Sequence, residues 1–261
     1  MPVWLPLLAA ISGAVFDHAP WDALLKRHVN AAGEVDYAAL KRARQPLDTY
    51  VAALTAQSPD SHPAAFPTRA DQLAYWINSY NALTIKGVLD AYPTRSVRSL
   101  GRAFGFFRRQ DYTLGGRRLS LQDLENTIIR ARYHEPRIHF AIVCASVSCP
   151  LLLRDAYTGA NLEAQLDHAT RASLAQARMV TIDAATRAVR LTMLFSWYAK
   201  DFGGVATVLP FVRRHLAPGR QKEMDALGAK PRVQYLEYDW SVNDPGARAR
   251  SRYAYERAMS Q

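Results

Sequence analysis

Apolar positions recur at helical spacing from the first charged segment onward. Trp21, Leu24, Leu25 and Val29 fall on one face of FDHAPWDALLKRHV, which predicts a helix, a turn and a second helix starting near Asp36. SPDSHPAAFPT is rich in Pro and Ser and reads as a loop. RADQLAYWINSYNALTIKGVLDAYP predicts a long helix that stops before Pro93. QDYTLGGRRLSL predicts a hairpin turning at Gly115-Gly116. Ser120 then caps a helix over LQDLENTIIRARY, with Asp123 at the third helical position as a near capping box. RIHFAIVCA, short and β-branched, predicts a buried strand, and Cys149 before Pro150 resembles a helix start. MVTIDAATRAVRLTM predicts a second hairpin, LFSWYAKDF and LPFVRRHLA predict helix, and RVQYLEYDW predicts a last strand. Helices first and short strands later imply an α+β fold, helix-rich with a small mixed or antiparallel sheet. No repeat, linker or domain boundary interrupts residues 15–261, which are expected to form a single domain.

Composition changes this picture in two places. The chain has 261 residues, 49% hydrophobic, long enough to bury a core without help from metal or disulfide. Its net charge of +10 favours anionic surroundings such as an envelope surface. The charge is spread along the chain with no nucleic-acid motif around it, so specific nucleic-acid binding is not expected. MPVWLPLLAAISGAVF carries no charge until Asp17 and is too short to span a bilayer. Residues 1–14 read as the remnant of an export signal without its basic start, which implies a periplasmic or secreted protein. The competing reading is an apolar first helix.

Several blocks are distinctive. FDHAPWDALLKRHV with GEVDYAAL, AYWINSYNALTI, LSLQDLENTIIR, PRIHFAIVCASVSCPLL, SWYAKDFGG and EYDWSVND resemble, in that order, the blocks of the family named domain of unknown function 547. The resemblance spans about residues 16 to 243. It implies architecture and a short list of positions more than an activity. It also implies that shared chemistry sits on the position of Cys144, since plant relatives often lack the second cysteine.

The chemistry centres on RIHFAIVCASVSCPLLL, which holds both cysteines of the chain. A cysteine nucleophile reacts as the thiolate and needs a base in reach plus a group that orients the base. Cys144 is the candidate nucleophile, His139 the base and Glu125 the carboxylate, with Asn78 as the alternative orienting group. In a straight strand, five residues span ~17 Å and alternate faces, which argues against direct contact between His139 and Cys144. Asn78 and Asn81 share one helix face and either satisfy buried backbone or line a pocket. His139, Glu125 and Asn78 are expected to converge on one polar cluster, because polar groups in a core must pair. Ser148, Cys149 and Tyr198 are candidate substrate contacts. A Cys144–Cys149 disulfide is equally open in an oxidising compartment. The spacing of His134, His139, Cys144 and Cys149 matches no zinc pattern, so no metal is expected, and no cofactor motif is present. The leading expectation is an exported cysteine-dependent hydrolase or acyltransferase, similar in logic to papain-like and transglutaminase-like folds, acting on a peptide-like or acyl substrate. The alternatives are a non-enzymatic envelope module and a thiol-redox protein.

Overall fold

The computed structural model describes residues 15–101 and 105–246, so the segment read as an export signal lies outside the described residues. Two amphipathic helices start the fold, α1 (Ala19–His28) and α2 (Tyr37–Arg42). Asp36 caps α2 by accepting the Ala39 N–H at 2.8 Å. Next comes α3 (Gln45–Ala56), with proline in its first turn, which packs on α1 and on α4 (Arg69–Asp90). A capping box between Thr68 and Asp71 starts α4. Every residue of α4 from Leu73 to Ile85 is buried, so it is the central helix and its polar groups must find partners inside the protein.

After α5 (Gly105–Arg108), strands β1 (Tyr112–Leu114) and β2 (Arg117–Leu119) form the expected antiparallel hairpin. Its turn residues Gly115 and Gly116 have φ of 53° and 81°, the left-handed backbone that a two-residue hairpin loop requires. Ser120 and Asp123 complete the capping box of α6 (Leu121–Asp123). That turn runs unbroken into a π-helical stretch, Leu124–Arg130, and closes as α7 (Ala131–Tyr133).

The segment expected as a strand is instead a 3-10 helix, Pro136–Phe140, followed by irregular backbone. Proline occupies its first turn and Glu135 accepts the Arg137 N–H at 2.9 Å, which together start a helical turn. A short apolar run is buried either way, so periodicity does not separate the two outcomes. No helix starts at Cys149-Pro150, because the Ser148 N–H is bound by the Asp239 carbonyl and the Leu151 N–H by Ser173 Oγ.

The remaining elements are α8 (Leu162–Leu174), β3 (Val180–Asp183), β4 (Ala188–Leu191), α9 (Leu194–Trp197), α10 (Val205–His215), α11 (Pro218–Ala226) and β5 (Arg232–Tyr235). The sheet order is β3-β4-β5, with β3 antiparallel and β5 parallel to β4. The helix expected over LFSWYAKDF ends at Trp197, before the positive-φ pair Gly203-Gly204. The architecture is α+β, helix-rich with small sheets.

Two apolar clusters meet at the 3-10 helix. Ile138 belongs to the larger, built on α1 to α4, and Phe140 to the smaller, with Phe195, Phe202 and Phe211. His139 lies between them. The closing segment 239–243 then ties distant parts together. Asn243 accepts the Val35 N–H through its carbonyl and donates its own N–H to Ala145, both at 3.0 Å, while Ser241 accepts the Val147 N–H at 2.8 Å. Among the described residues no helix is long and apolar enough to cross a membrane.

Burial beside Tyr50 lowers the His18 pKa to about 4, against the opposing charges of Asp17 and Asp71. The folded state therefore resists protonation of this ring. Its contribution to stability is complete above the unfolded value near ~6.5 and is lost as pH falls from there toward 4. Urea unfolding at stepped pH should show that loss, and His18→Gln should remove its share of the slope between pH 6.5 and 4.

Candidate functional site

A cleft of about 520 Å³ opens where the π-helical stretch, the 3-10 helix and its following turn, α9 and the closing segment meet. Glu125, Asn126 and Arg130 of the π-helical stretch all line it. A π-helical turn is wider than an α turn and recurs at functional sites. His139, Cys144, Cys149, Tyr198 and Tyr238 line the same space.

His139 is almost fully buried, and its Nε2 meets Asp201 Oδ2 at 2.7 Å. Its ring stacks on Tyr198 with centroids 4.0 Å apart. Asp201 also accepts both a 2.6 Å and a 3.0 Å bond from the Arg130 guanidinium, which in turn binds Asn126 Oδ1. The His139 bond first, then Arg130 against the cost of burial, hold the Asp201 carboxyl well below the usual carboxylate range. Among the described residues no protein group is hydrogen-bonded to His139 Nδ1, and no hydrogen bond joins the ring to either sulfur.

Cys144 and Cys149 are joined in a disulfide, with Cα atoms 6.3 Å apart. Cys144 is partly exposed, whereas Cys149 is 2% exposed. The Cys144 N–H donates to Cys149 Sγ at 3.0 Å. The hydroxyls of Ser146 and Tyr238 lie 3.2 to 3.4 Å from the sulfurs and can turn to either one. Ala145, between Cys144 and Ser146, sits at φ 62°, a left-handed conformation that costs a non-glycine residue energy. The ladder from Asn243 and Ser241 holds it there.

Glu125 faces the cleft and accepts the Tyr80 hydroxyl at 3.4 Å. Burial first and then its charge push the pKa values of Tyr80, Tyr198 and Tyr238 upward.

The candidates named from sequence thus divide. Glu125, His139, Cys144, Cys149 and Tyr198 share one cleft. Asn78 does not join them, contrary to the expected convergence. It is wholly buried, and its amide exchanges bonds with the backbone of Tyr157, donating at 2.7 Å and accepting at 3.0 Å. Asn81 likewise faces backbone, donating to the Ala141 carbonyl at 2.9 Å and accepting the Val143 N–H at 2.8 Å. Ser148 is turned to Asp239, whose N–H it accepts at 2.8 Å. The strand parity that separated His139 from Cys144 does not apply, since no strand exists there. Asp201 is not among the site residues expected from sequence, yet it is the partner of His139. The tight SWYAKDF block that carries Asp201 was the available signal. Among the described residues no group of three or more His, Cys, Asp or Glu side chains is placed to hold a metal.

Residues 64–174 match the model of a family described as protein of unknown function, DUF547. This stretch is similar to the DUF547 family. The match covers less than half of the 261 residues, narrower than the block resemblance over residues 16 to 243 implied. No curated protein and no solved structure matches the chain. The DUF547 segment supplies Glu125, Arg130, His139 and both cysteines, while Tyr198, Asp201 and Tyr238 come from the chain beyond it.

Asn81→Ala should remove two buried bonds and leave the Ala141 carbonyl and Val143 N–H without partners. Denaturant unfolding should show a loss of about 2 to 4 kcal/mol. Asp201→Asn should also destabilise at pH 7. Because the folded carboxyl is held low, its stabilisation is present above the unfolded value near ~3.9 and fades below it. The gap between wild type and Asp201→Asn should therefore narrow as pH falls below about 4.

Proposed function

We propose that the cleft is a thiol–disulfide exchange centre built on Cys144 and Cys149. The observation that carries this reading is the disulfide at the cleft wall, with Cys144 partly exposed and Cys149 buried beside hydrogen-bond donors. An incoming thiolate attacks Cys144 Sγ, forming a mixed disulfide and releasing Cys149 as the thiolate. The Cys144 N–H and the Ser146 and Tyr238 hydroxyls stabilise that leaving sulfur. A second substrate thiolate attacks the substrate sulfur of the mixed disulfide and expels Cys144 as the thiolate. Two thiolates have then become one disulfide, and the protein has gained the two electrons. The same steps in reverse reduce a substrate disulfide.

The acyl-transfer reading expected from sequence keeps one specific support. His139 is oriented by Asp201 through Nε2, so in the reduced protein a base held by a carboxylate would line the same cleft as the Cys144 thiol. Any likeness to papain-type enzymes belongs to that second reading. We place the oxidised form in a periplasmic or extracellular setting, where disulfides persist, and the net charge of +10 suits an anionic envelope surface.

The test is to trap the intermediate. Cys149→Ser incubated with a small disulfide should form a stable mixed disulfide on Cys144, read by mass spectrometry after digestion. Cys144→Ser should form none, or form it far more slowly, because Cys149 is buried. Trapping on Cys149 alone would reverse the roles. Trapping on neither, under conditions where the fold is intact, would favour a non-enzymatic module. If reduced wild type consumes activated acyl esters while Cys149→Ser cannot be trapped, the acyl-transfer reading takes its place.

A further inference from the structure

One ring nitrogen of His139 has no partner. The other, Nε2, meets Asp201 Oδ2 at 2.7 Å. That carboxyl is held low by His139 and Arg130 and only accepts, so Nε2 carries the ring proton. In the neutral ring Nδ1 is then a bare lone pair, and among the described residues nothing donates to it. His139 is 3% exposed, so this acceptor belongs to a buried side chain. It is not one of the unpartnered polar atoms shut off from solvent, and the ring lines the cleft, so Nδ1 opens there. A buried acceptor with no donor in the protein calls for one from outside.

Tyr198 stacks on the ring with centroids 4.0 Å apart, and Phe202 lies against it at 5.5 Å, so the ring is held in this orientation. The other ionisable groups at the cleft do not compete for a proton. Arg108 and Arg130 are donors only, and Glu125 already accepts the Tyr80 hydroxyl. Burial keeps Tyr198 and Tyr238 protonated. Nδ1 is therefore the free base of the cleft. The ring touches neither sulfur, whose partners are the Cys144 N–H and the Ser146 and Tyr238 hydroxyls. His139 and the partly exposed Cys144 thus line one cleft of about 520 Å³ without contact, which leaves the base for a sulfur that enters from outside.

We infer that His139 is a catalytic residue of the exchange and takes the proton of the incoming thiol at Nδ1 as that sulfur attacks Cys144. This rests on the thiol–disulfide reading above and adds the group that makes the thiolate. The S–H bond breaks with its electron pair left on the substrate sulfur. That sulfur bonds Cys144 Sγ, and the Cys144–Cys149 bond breaks with its pair on Cys149. The imidazolium so formed faces the Asp201 carboxylate and releases its proton to solvent through the cleft. The ring acts on the substrate thiol and not on Cys144, which carries no proton in the disulfide.

The experiment follows cleavage of the Cys144–Cys149 bond in the oxidised full chain by 2-mercaptoethanol, from about pH 8 down to about pH 6, with a simple dialkyl disulfide as reference. On the reference only free thiolate attacks, so the rate falls about tenfold per pH unit. On the protein it should fall by less than about threefold per unit, because the base makes the thiolate at the site. His139→Gln, whose amide can still donate to Asp201, should restore the steep fall. Diethyl pyrocarbonate, which acylates a free imidazole nitrogen, should do the same to folded wild type, and hydroxylamine should reverse it. A steep fall in untreated wild type would overturn the inference while leaving exchange chemistry in place. So would a shallow fall that survives His139→Gln or, if that variant does not fold, the reagent. Absence of cleavage at every pH would instead remove the exchange reading itself.

Discussion

The side-chain amide of Asn81 fixes the geometry on which the cleft depends. It reaches from the middle of a wholly buried helix and bonds both the Ala141 carbonyl and the Val143 N–H. Those two groups belong to irregular backbone, so no helix or strand satisfies them. Left alone they would be unpaired polar groups in a core, a cost of about 1 to 3 kcal/mol each. The amide removes that cost and sets the path from His139 to Cys144. Asn78, one turn earlier, does the same for the backbone of Tyr157. Two amides on an apolar helix are therefore scaffolding, and the chemistry sits on the loops they hold.

A second constraint comes from the far end of the chain. The closing segment binds Ala145, Val147 and Ser148 through backbone hydrogen bonds and fixes Ala145 in its left-handed conformation. Strain of this kind persists only where surrounding structure over-determines it. The same segment contributes Tyr238 beside the sulfurs and Trp240 to the wall. The cleft thus needs residues from beyond the DUF547 segment, and Asp201 makes the same point for His139.

Much of the fold was legible where local chemistry decides it. The Gly115-Gly116 hairpin, the Ser120 cap, the helix ending before Pro93 and the 180–191 hairpin each rest on neighbours in sequence. The failures lie where distant groups decide. RIHFAIVCA reads as a strand because burial on all sides erases periodicity, yet Pro136 and Asn81 make it a 3-10 helix and a turn. Glu125 was legible as a lone acid in its block. The widening of its helix was not, because the hydrogen-bond shift that makes a π turn leaves no pattern in residue types. His139 and Cys144 were legible as chemistry-bearing groups, although the strand assumed between them is a 3-10 helix and a turn. The Asp201 partnership joins residues 62 apart, and no spacing rule announces it.

The difference in burial between the two cysteines bears on the proposed exchange. An exchange reaction requires in-line approach of a thiolate to one sulfur while the other departs. Cys149 is the more buried of the two and its sulfur accepts the Cys144 N–H, so on the proposed reading it is the one to depart. Cys144 lines the cleft, and among the described residues no backbone N–H is hydrogen-bonded to its sulfur. Closing the short loop from Cys144 to Cys149 would not by itself account for a cleft at the partly exposed cysteine. The chain is also large enough to fold on its apolar clusters without that staple. On the proposed exchange reading, the bond opens by attack at Cys144, and the negative charge is released on Cys149 beside the Cys144 N–H.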